Sequence, residues 1–121
     1  MIKKETLLEI IDNSGATKAK CFGLYRCGDA GSIGDIIKVS IVKCKPALNV
    51  KSSSVKKGSV HRAIIVKTKY RFARKYGEYI SFDKNAAILI NDKGEPIGTR
   101  ILQAVPREVS QKIRSIAEGV C

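Results

Sequence analysis

The sequence predicts a mainly β protein, built as a small closed β-barrel with a short helical extension at its C-terminus. Apolar residues recur with a period of two over most of the chain, which is typical of half-buried strands. Turn signals separate these segments at short intervals, and closure into a barrel removes exposed strand edges. A chain of 121 residues supports one core. We therefore expect a single domain, with the barrel over about residues 1–104 and the helical tail over about 105–121.

The first three strands are predicted from alternating segments that end in turns. Residues 6–11 form a short apolar segment that stops at the turn-forming residues 12–15. Residues 18–27 alternate small or apolar with cationic side chains, and the glycine-rich residues 28–35 form a loop. Residues 36–45 place isoleucine and valine on one face and lysine and serine on the other, so one face is solvated and basic.

The second half predicts further strands and one helix. Residues 60–69 have an apolar centre flanked by cations, and residues 79–82 and 86–91 are predicted to form a pair before the turn at 91–94. The period then changes to helical spacing near residues 109–117. The residues that carry this change are Val109, Ile113, Ile116 and Ala117, with Pro106 before them and Gly119 after them.

The positive charge is concentrated in one part of the chain. The formal net charge is +12, from 23 basic and 11 acidic residues. Residues 36–77 contain twelve lysines or arginines and no acid, so the remaining residues balance at 11 of each sign. A charge used only for solubility would mix both signs. This window therefore predicts a surface that binds a polyanion, either a nucleic acid or an anionic membrane.

Other functional classes lack their sequence signals. No apolar run reaches the roughly 20 residues of a membrane span, and no signal peptide is recognisable. The four cysteines form no C-x-x-C pair and lie apart from His61, so we expect reduced thiols, no metal site and no cofactor. The glycines of residues 28–35 lead into a strand, not into the helix that a phosphate-binding loop requires. No base-and-orienter pattern surrounds His61, so no catalytic residue is predicted and the protein is not expected to be an enzyme.

The segment of residues 67–76 carries the most specific binding signal. Cations alternate there with aromatic rings, and five of the seven aromatic residues lie between Tyr70 and Phe82. Cations neutralise phosphates while rings can stack on bases. The alternative is a solvated hairpin whose rings close the end of the barrel, and both can hold together. The candidate RNA-binding cations are Lys43, Lys45, Lys51, Lys56, Lys57, Arg62, Lys67, Lys69, Arg71, Arg74 and Lys75, and the stacking candidates are Tyr70, Phe72 and Tyr76.

Several segments resemble one family in order and spacing over essentially the whole chain. They are residues 8–16, 34–37, 55–69, 82–86, 96–101 and 107–108, of which Asp12-Asn13-Ser14-Gly15-Ala16, Arg62 to Lys69 and Ile97-Gly98-Thr99-Arg100 are the most specific. In these the chain resembles large-subunit ribosomal protein fourteen, the universal L-fourteen family, in its bacterial or organellar form. It departs from the family pattern at Tyr76, in the loop of residues 46–54, and after residue 108, where the chain is shortened.

The resemblance implies a five-stranded barrel that binds large-subunit rRNA at the face between the subunits. It further implies contacts with small-subunit rRNA in bridges, with the third and nineteenth large-subunit proteins, and with a silencing factor that blocks subunit joining. The family positions for that factor match Thr99, Arg100 and Lys112. Thr99 and Arg100 could equally bond rRNA phosphate at the end of a strand.

The residues also allow two alternative functions to be weighed against ribosomal RNA binding. A free-standing single-strand binder would carry stacking rings on its strand faces, whereas the rings here cluster in one loop region. A membrane-surface module would need a basic amphipathic helix, and the predicted helix carries only Lys112 and Arg114.

The composition also bears on the compartment, because sixteen Ile against six Leu and sixteen Lys against seven Arg indicate an A+T-rich genome. This favours the large subunit of a mitochondrial ribosome, in the matrix, over the bacterial cytoplasm or the plastid stroma.

Overall fold

A computed structural model describes residues 2–24, 31–44, 57–74, 77–98, 100–107, 109 and 111–120. The elements in this part of the chain are β1 (Leu7–Ile10), β2 (Ala16–Leu24), β3 (Ile36–Cys44), β4 (Val60–Lys67), β5 (Phe72–Ala73), β6 (Tyr79–Ile80), β7 (Ala86–Ile90), β8 (Ile101–Val105), α1 (Gln111–Ile116) and β9 (Ala117–Val120). The predicted class is confirmed, because the fold is mainly β with one short helix near the C-terminus.

Five strands close into a barrel in the order β1-β2-β3-β4-β7. Four of the neighbouring pairs are antiparallel, and β7 closes the ring by pairing parallel to β1. A small hairpin of β5 and β6 lies between β4 and β7 in the chain. The predicted pairing of residues 79–82 with 86–91 is wrong, because β6 pairs with β5 whereas β7 pairs with β4 and β1.

Irregular pairing along β2 explains why its alternation is imperfect. The pairing with β3 shifts register between Ala16 and Ala19, and again between Cys21 and Gly23. A β-bulge inserts one extra residue and therefore changes which parity of the strand faces inward. Ala16, Ala19 and Cys21 are buried, and Leu24 packs on the same core although Cys21 and Leu24 lie three residues apart.

Two apolar clusters hold the fold, one inside the barrel and one between the barrel and the C-terminal segment. Alternate residues of β4 and β7, such as Ile65 and Leu89, point into the barrel. Their neighbours Ile64 and Ile88 point outward and pack against the C-terminal segment. Both faces of β7 and of residues 63–66 of β4 are therefore covered, which explains their continuous apolar runs. The outer cluster also contains Ile11, Ile33, Val66, Ala86, Ile90, Ile101, Val105, Val109 and Ile113.

The C-terminal segment contains more β structure than its helical spacing predicts. The helix α1 spans only six residues, and Ala117 begins β9, which pairs parallel to β8. The spacing of Val109, Ile113 and Ile116 arises because all three pack on the outer cluster, although Val109 precedes the helix. The C-terminal segment thus covers β4 and β7 as a compact strand–helix–strand unit.

The buried carboxylate of Asp12 completes the barrel where β1 ends. The parallel pairing of β1 with β7 stops at Ile10 opposite Ala87. Beyond that point the backbone N–H of Leu89 donates to Asp12 Oδ2 at 3.2 Å, so a side chain replaces the missing strand acceptor. The other carboxylate oxygen accepts from the backbone N–H and the hydroxyl of Ser14, at 3.2 and 2.5 Å. Asp12 therefore stabilises both the barrel seam, which is the junction of β1 with β7, and the turn that follows β1.

Burial also gives Asp12 a defined effect on pH-dependent stability. Desolvation raises the pKa of Asp12 above its ordinary value of 3.8, against the opposing effect of its hydrogen bonds from Ser14 and Leu89. The folded state then binds the proton more readily than the unfolded state. The wild type should therefore lose stability relative to the Asp12→Asn variant as the pH rises from about 3.8 through the raised pKa. The quantity to compare is the difference between their free energies of unfolding. Urea unfolding of both proteins over this range measures the difference, and a difference that rises with pH would contradict the assignment.

Candidate nucleic-acid interface

The outer face of β3 and β4 presents cations because their neighbours along each strand point into the barrel. Ile37 and Val39 are buried inside, so Lys38 between them faces outward and is exposed. Lys38 lies directly opposite Arg62 of β4, which is also exposed. Two cations on adjacent strands form a paired site for one phosphate group or for two neighbouring ones.

A second group of cations lies where β3 ends. The backbone N–H of Gly58 donates to Ile41 O at 2.8 Å, which holds the turn containing Lys57 against the C-terminal part of β3. Lys43 is exposed on this part of the strand and pairs with Lys18 of β2. Like charges this close repel one another. Such a cluster gains stability from an anionic partner.

The β5–β6 hairpin is anchored to the barrel by backbone contacts. The backbone N–H of Lys69 donates to Asn85 Oδ1 at 2.9 Å, and the N–H of Phe82 donates to Thr68 O at 3.0 Å. The buried Thr68 donates its hydroxyl to Tyr70 O at 3.0 Å. These bonds fix the base of the hairpin, so its exposed side chains project from a defined position.

The hairpin combines exposed rings and cations, as its sequence predicts. Tyr70 is exposed, and Lys69 and Arg71 on either side of it are exposed as well. The guanidinium carbon of Arg71 lies 6.0 Å from the ring centroid of Tyr79, the most exposed large hydrophobic residue of the described part of the chain at 68%. Stacking orients a guanidinium without neutralising it. Tyr79 is a ring that the sequence reasoning left out of the stacking candidates, although it falls within the same aromatic cluster.

Lys67 and Arg74 are more enclosed than the other predicted cations whose side chains the structure describes. Lys67 Nζ donates to Gln103 Oε1 at 2.8 Å and lies 5.5 Å from the ring centroid of Phe82. It therefore ties β4 to β8. Arg74 is half-buried, and its backbone N–H donates to Glu78 O at 2.7 Å across the end of the hairpin. Gly77 occupies the left-handed region there, with φ of 80°, which a turn of this kind requires.

Part of the predicted set lies outside the described residues. It comprises Lys45, Lys51, Lys56, Lys75, Tyr76 and Thr99, together with the side chains of Phe72 and Lys112, whose backbones belong to β5 and α1. The described members of the set are Lys43, Lys57, Arg62, Lys67, Lys69, Tyr70, Arg71, Arg74 and Arg100. Lys38, which the predicted set omits, lies on the same strand face as Arg62.

Arg100 is held at the surface by the turn that follows β1. The backbone N–H of Arg100 donates to Asn13 Oδ1 at 3.1 Å, and the N–H of Asn13 donates to Arg100 O at 3.0 Å. The backbone of Gly98 packs so closely on this turn that a Cβ there would lie 2.8 Å from Asn13 Oδ1. Two of the three segments most specific to the resemblance therefore contact each other, through Asn13 in one and through Gly98 and the exposed Arg100 in the other.

The described residues offer a charged surface that can bind a polyanion. In this part of the chain no group of three or more His, Cys, Asp or Glu residues is arranged to hold a metal ion. His61 Nε2 lies 3.0 Å from Ser59 Oγ, within hydrogen-bond distance. Cys21 is a buried thiol whose pKa is raised by that burial. No helix among the described residues is both long and apolar enough to cross a bilayer.

The chain resembles known proteins over nearly its full length. A family model described as ribosomal protein L14p/L23e matches residues 1–121, the whole chain. The chain is 43% identical over 113 residues to large ribosomal subunit protein uL14m of Schizosaccharomyces pombe, covering 93% of this chain and 90% of that protein. It is 44% identical over 115 residues to uL14 of Solibacter usitatus and 42% identical over 113 residues to uL14 of Aquifex aeolicus, each covering 93% of this chain and 89% of the relative.

Proposed function

This chain belongs to the ribosomal protein L14p/L23e family, and we propose that it packs the rRNA of the large ribosomal subunit through one basic flank. It is a structural ribosomal protein and not an enzyme. The basic flank comprises the exposed cations Lys38, Lys43, Lys57, Arg62, Lys69 and Arg71. The observation that carries the proposal is their arrangement on one run of strands, β3 through the β5–β6 hairpin, on a rigid closed barrel.

The chemistry of this flank favours phosphate and sugar over base edges. Lysines and arginines on a convex barrel neutralise backbone charge where RNA helices approach one another, and they recognise the shape of the RNA more than its sequence. The ion pairs Lys20–Glu5, at 3.5 Å, and Lys84–Glu9, at 2.7 Å, engage acids with cations outside the window of residues 36–77. The barrel thus serves as a spacer with one side directed at RNA.

Binding to naked large-subunit rRNA is expected to weaken steeply with salt. If several cations of the basic flank contact phosphates, the slope of log K against log salt concentration is expected to be steeper than about −2. Filter binding over a series of salt concentrations measures this slope. The double variant Lys69→Gln/Arg71→Gln removes two exposed cations and is expected to make the slope shallower by about 1.5.

Lys84→Gln is the matched control, because Lys84 Nζ is bonded to Glu9 and lies outside the basic window. Its slope is expected to equal that of the wild type. A wild-type slope shallower than about −2 would contradict phosphate packing. Recovery of the protein only in the soluble fraction, away from the large subunit after sedimentation with a salt wash, would contradict the ribosomal placement itself.

The surface around Arg100 is the proposed contact for partners other than large-subunit rRNA. We assign to residues 99–100 and Lys112 contacts with small-subunit rRNA in intersubunit bridges and docking of a silencing factor. The third and nineteenth large-subunit proteins are the proposed neighbours. The exposure of Arg100 and its backbone bonds to Asn13 support this assignment. Crosslinking at residue 100 in intact ribosomes is expected to capture small-subunit rRNA, whereas capture of large-subunit rRNA alone would contradict it.

The proposed compartment is the mitochondrial matrix. The excess of Ile over Leu and of Lys over Arg supports it. The relatives are a uL14m protein and two bacterial uL14 proteins at nearly equal identity, so similarity does not decide between the compartments. Fractionation of the source cells with detection of this chain distinguishes them.

A further inference from the structure

An open groove of about 680 Å³ crosses the outer face of β2, β3 and β4. Its volume lies within the range of sites that hold one small organic group. It combines apolar surface, two cations and two polar groups at its edge. Its lining includes Phe22, Lys38, Val60, Arg62, Asn91 and Asp92.

The ring in the groove faces outward because Phe22 directly follows the buried Cys21 on β2. Phe22 lies at the register shift between Cys21 and Gly23, on the solvent side of the strand. Phe22 is 44% exposed, and Val60 beside it in the groove is 62% exposed. Phe22 and Val60 therefore give the groove an apolar part next to its cations, which the flat face of a ligand can cover.

The cations are set beside the ring by the pairing of the strands. Gly23 lies opposite Lys38, and the aliphatic stem of Lys38 passes over Gly23, where a Cβ would lie 3.4 Å from Lys38 Cδ. Arg62 lies opposite Lys38 on the next strand. The ring and the two positive groups therefore occupy three adjacent strands, about 5 Å apart from strand to strand.

The edge of the groove supplies hydrogen-bonding groups of both kinds. Asn91 Oδ1 accepts from the backbone N–H groups of Lys93 and Glu95, at 2.9 Å each, which fixes this side chain and leaves its amide N–H groups as donors. Asp92 is exposed and contributes an acceptor. Donor and acceptor together can bond the edge of a base or a ribose hydroxyl.

We propose that this groove binds one unpaired RNA nucleotide, with its base stacked on Phe22 and its phosphate held by Lys38 and Arg62. The proposal rests on the rRNA-binding function above and adds a site to it. An acidic peptide would also meet the two cations, but an exposed ring opposite a paired cationic site favours a flat base linked to a phosphate.

This site is separate from the hairpin. Arg62 and Lys67 are five residues apart on β4, so the groove and the hairpin begin about 16 Å from each other along the strand. A ring on a strand face also changes the expectation from the sequence, where all stacking candidates fall in the hairpin region. The groove brings Phe22, Lys38 and Arg62 together in one site.

The chain contains no tryptophan, which permits a direct test. Phe22→Trp places a single indole in the groove, and titration of the full chain with large-subunit rRNA is expected to quench its fluorescence, because a stacked base quenches indole. Filter binding of the same samples reports whether a complex has formed. Val120→Trp is the control, because Val120 is exposed on the C-terminal β9 and its indole is expected to be unchanged.

Two further variants extend the test. Phe22→Ala is expected to bind rRNA about tenfold more weakly, from the loss of one stacked base. In the Phe22→Trp protein, Lys38→Gln/Arg62→Gln is expected to remove most of the quenching. An unchanged Phe22→Trp spectrum in a complex that filter binding confirms would overturn the groove site and leave the rRNA-binding function intact. Equal quenching at residues 22 and 120 would also overturn it, whereas absence of any complex would contradict the rRNA-binding function.

Discussion

Replacing Asp12 with alanine is expected to lower the free energy of unfolding by about 2 kcal/mol. The variant leaves the buried N–H of Leu89 without an acceptor at the point where β1 has ended and β7 continues. A buried donor without a partner costs about 1–3 kcal/mol. Loss of the two bonds from Ser14 adds to this, whereas removal of a buried carboxylate offsets part of it. Urea unfolding followed by circular dichroism measures the change in midpoint at constant m.

Asp35→Ala is the matched control for this prediction. Asp35 Oδ2 accepts from the backbone N–H of Ser32 at 2.8 Å, the same turn chemistry as Asp12, but in a half-exposed position that water can reach. We expect its cost to stay below about 1 kcal/mol. Equal costs at both positions would show that the turn, and not the barrel seam, is what Asp12 stabilises.

The barrel could be predicted from the sequence because its signals are local. Ile37, Val39 and Ile41 alternate with exposed or half-exposed neighbours, and β3 forms as this pattern indicates. β2 is harder to predict, because its bulges are defined only by the partner strand, and the one between Cys21 and Gly23 moves Leu24 to the inside. The pattern of a single strand cannot show where its neighbour skips a residue.

The C-terminal unit could not be predicted because its pairing is long in range and parallel. Ile101 pairs with Ala117, and neither β8 nor β9 is bounded by a hairpin signal. The helical spacing of Val109 and Ile113 reported burial on one apolar cluster and so extended the predicted helix beyond Gln111–Ile116. The spacing of these apolar residues therefore predicts which cluster their side chains join, but it does not predict the conformation of their backbone.

The charge pattern of the sequence predicts the region of the candidate interface, but it does not predict the role of each cation in that region. Lys69 and Arg71 are exposed on an anchored hairpin, as expected of residues that contact RNA. Lys67 belongs to the same charged segment, but it bonds Gln103 and joins β4 to β8. Sequence separates these two kinds of lysine only when the partner strand is known. Phe22 lies outside the aromatic cluster of residues 70–82, and only its position beside Lys38 on the neighbouring strand makes it a candidate for stacking.

Gly98→Ala is expected to lower the free energy of unfolding by about 2 kcal/mol and to displace the segment that carries Arg100. A Cβ at residue 98 would lie 2.8 Å from Asn13 Oδ1 and 3.1 Å from Asp12 Cβ, so the turn and the segment must move apart. The N–H of Arg100 then loses Asn13 Oδ1 as its acceptor. Urea unfolding measures the stability, and amide hydrogen exchange at Arg100 reports the lost bond.

Gly119→Ala is the control, because its Cβ would meet only Ala104 Cβ at an ordinary 3.7 Å. We expect it to match the wild type in stability and in exchange at Arg100. If residues 99–100 contribute to intersubunit contacts, large subunits carrying Gly98→Ala should join small subunits less well even where the variant is fully folded. Normal joining with rapid exchange at Arg100 would separate the two roles of this segment, leaving Gly98 as a packing residue of the barrel seam and placing the intersubunit contact elsewhere on the surface.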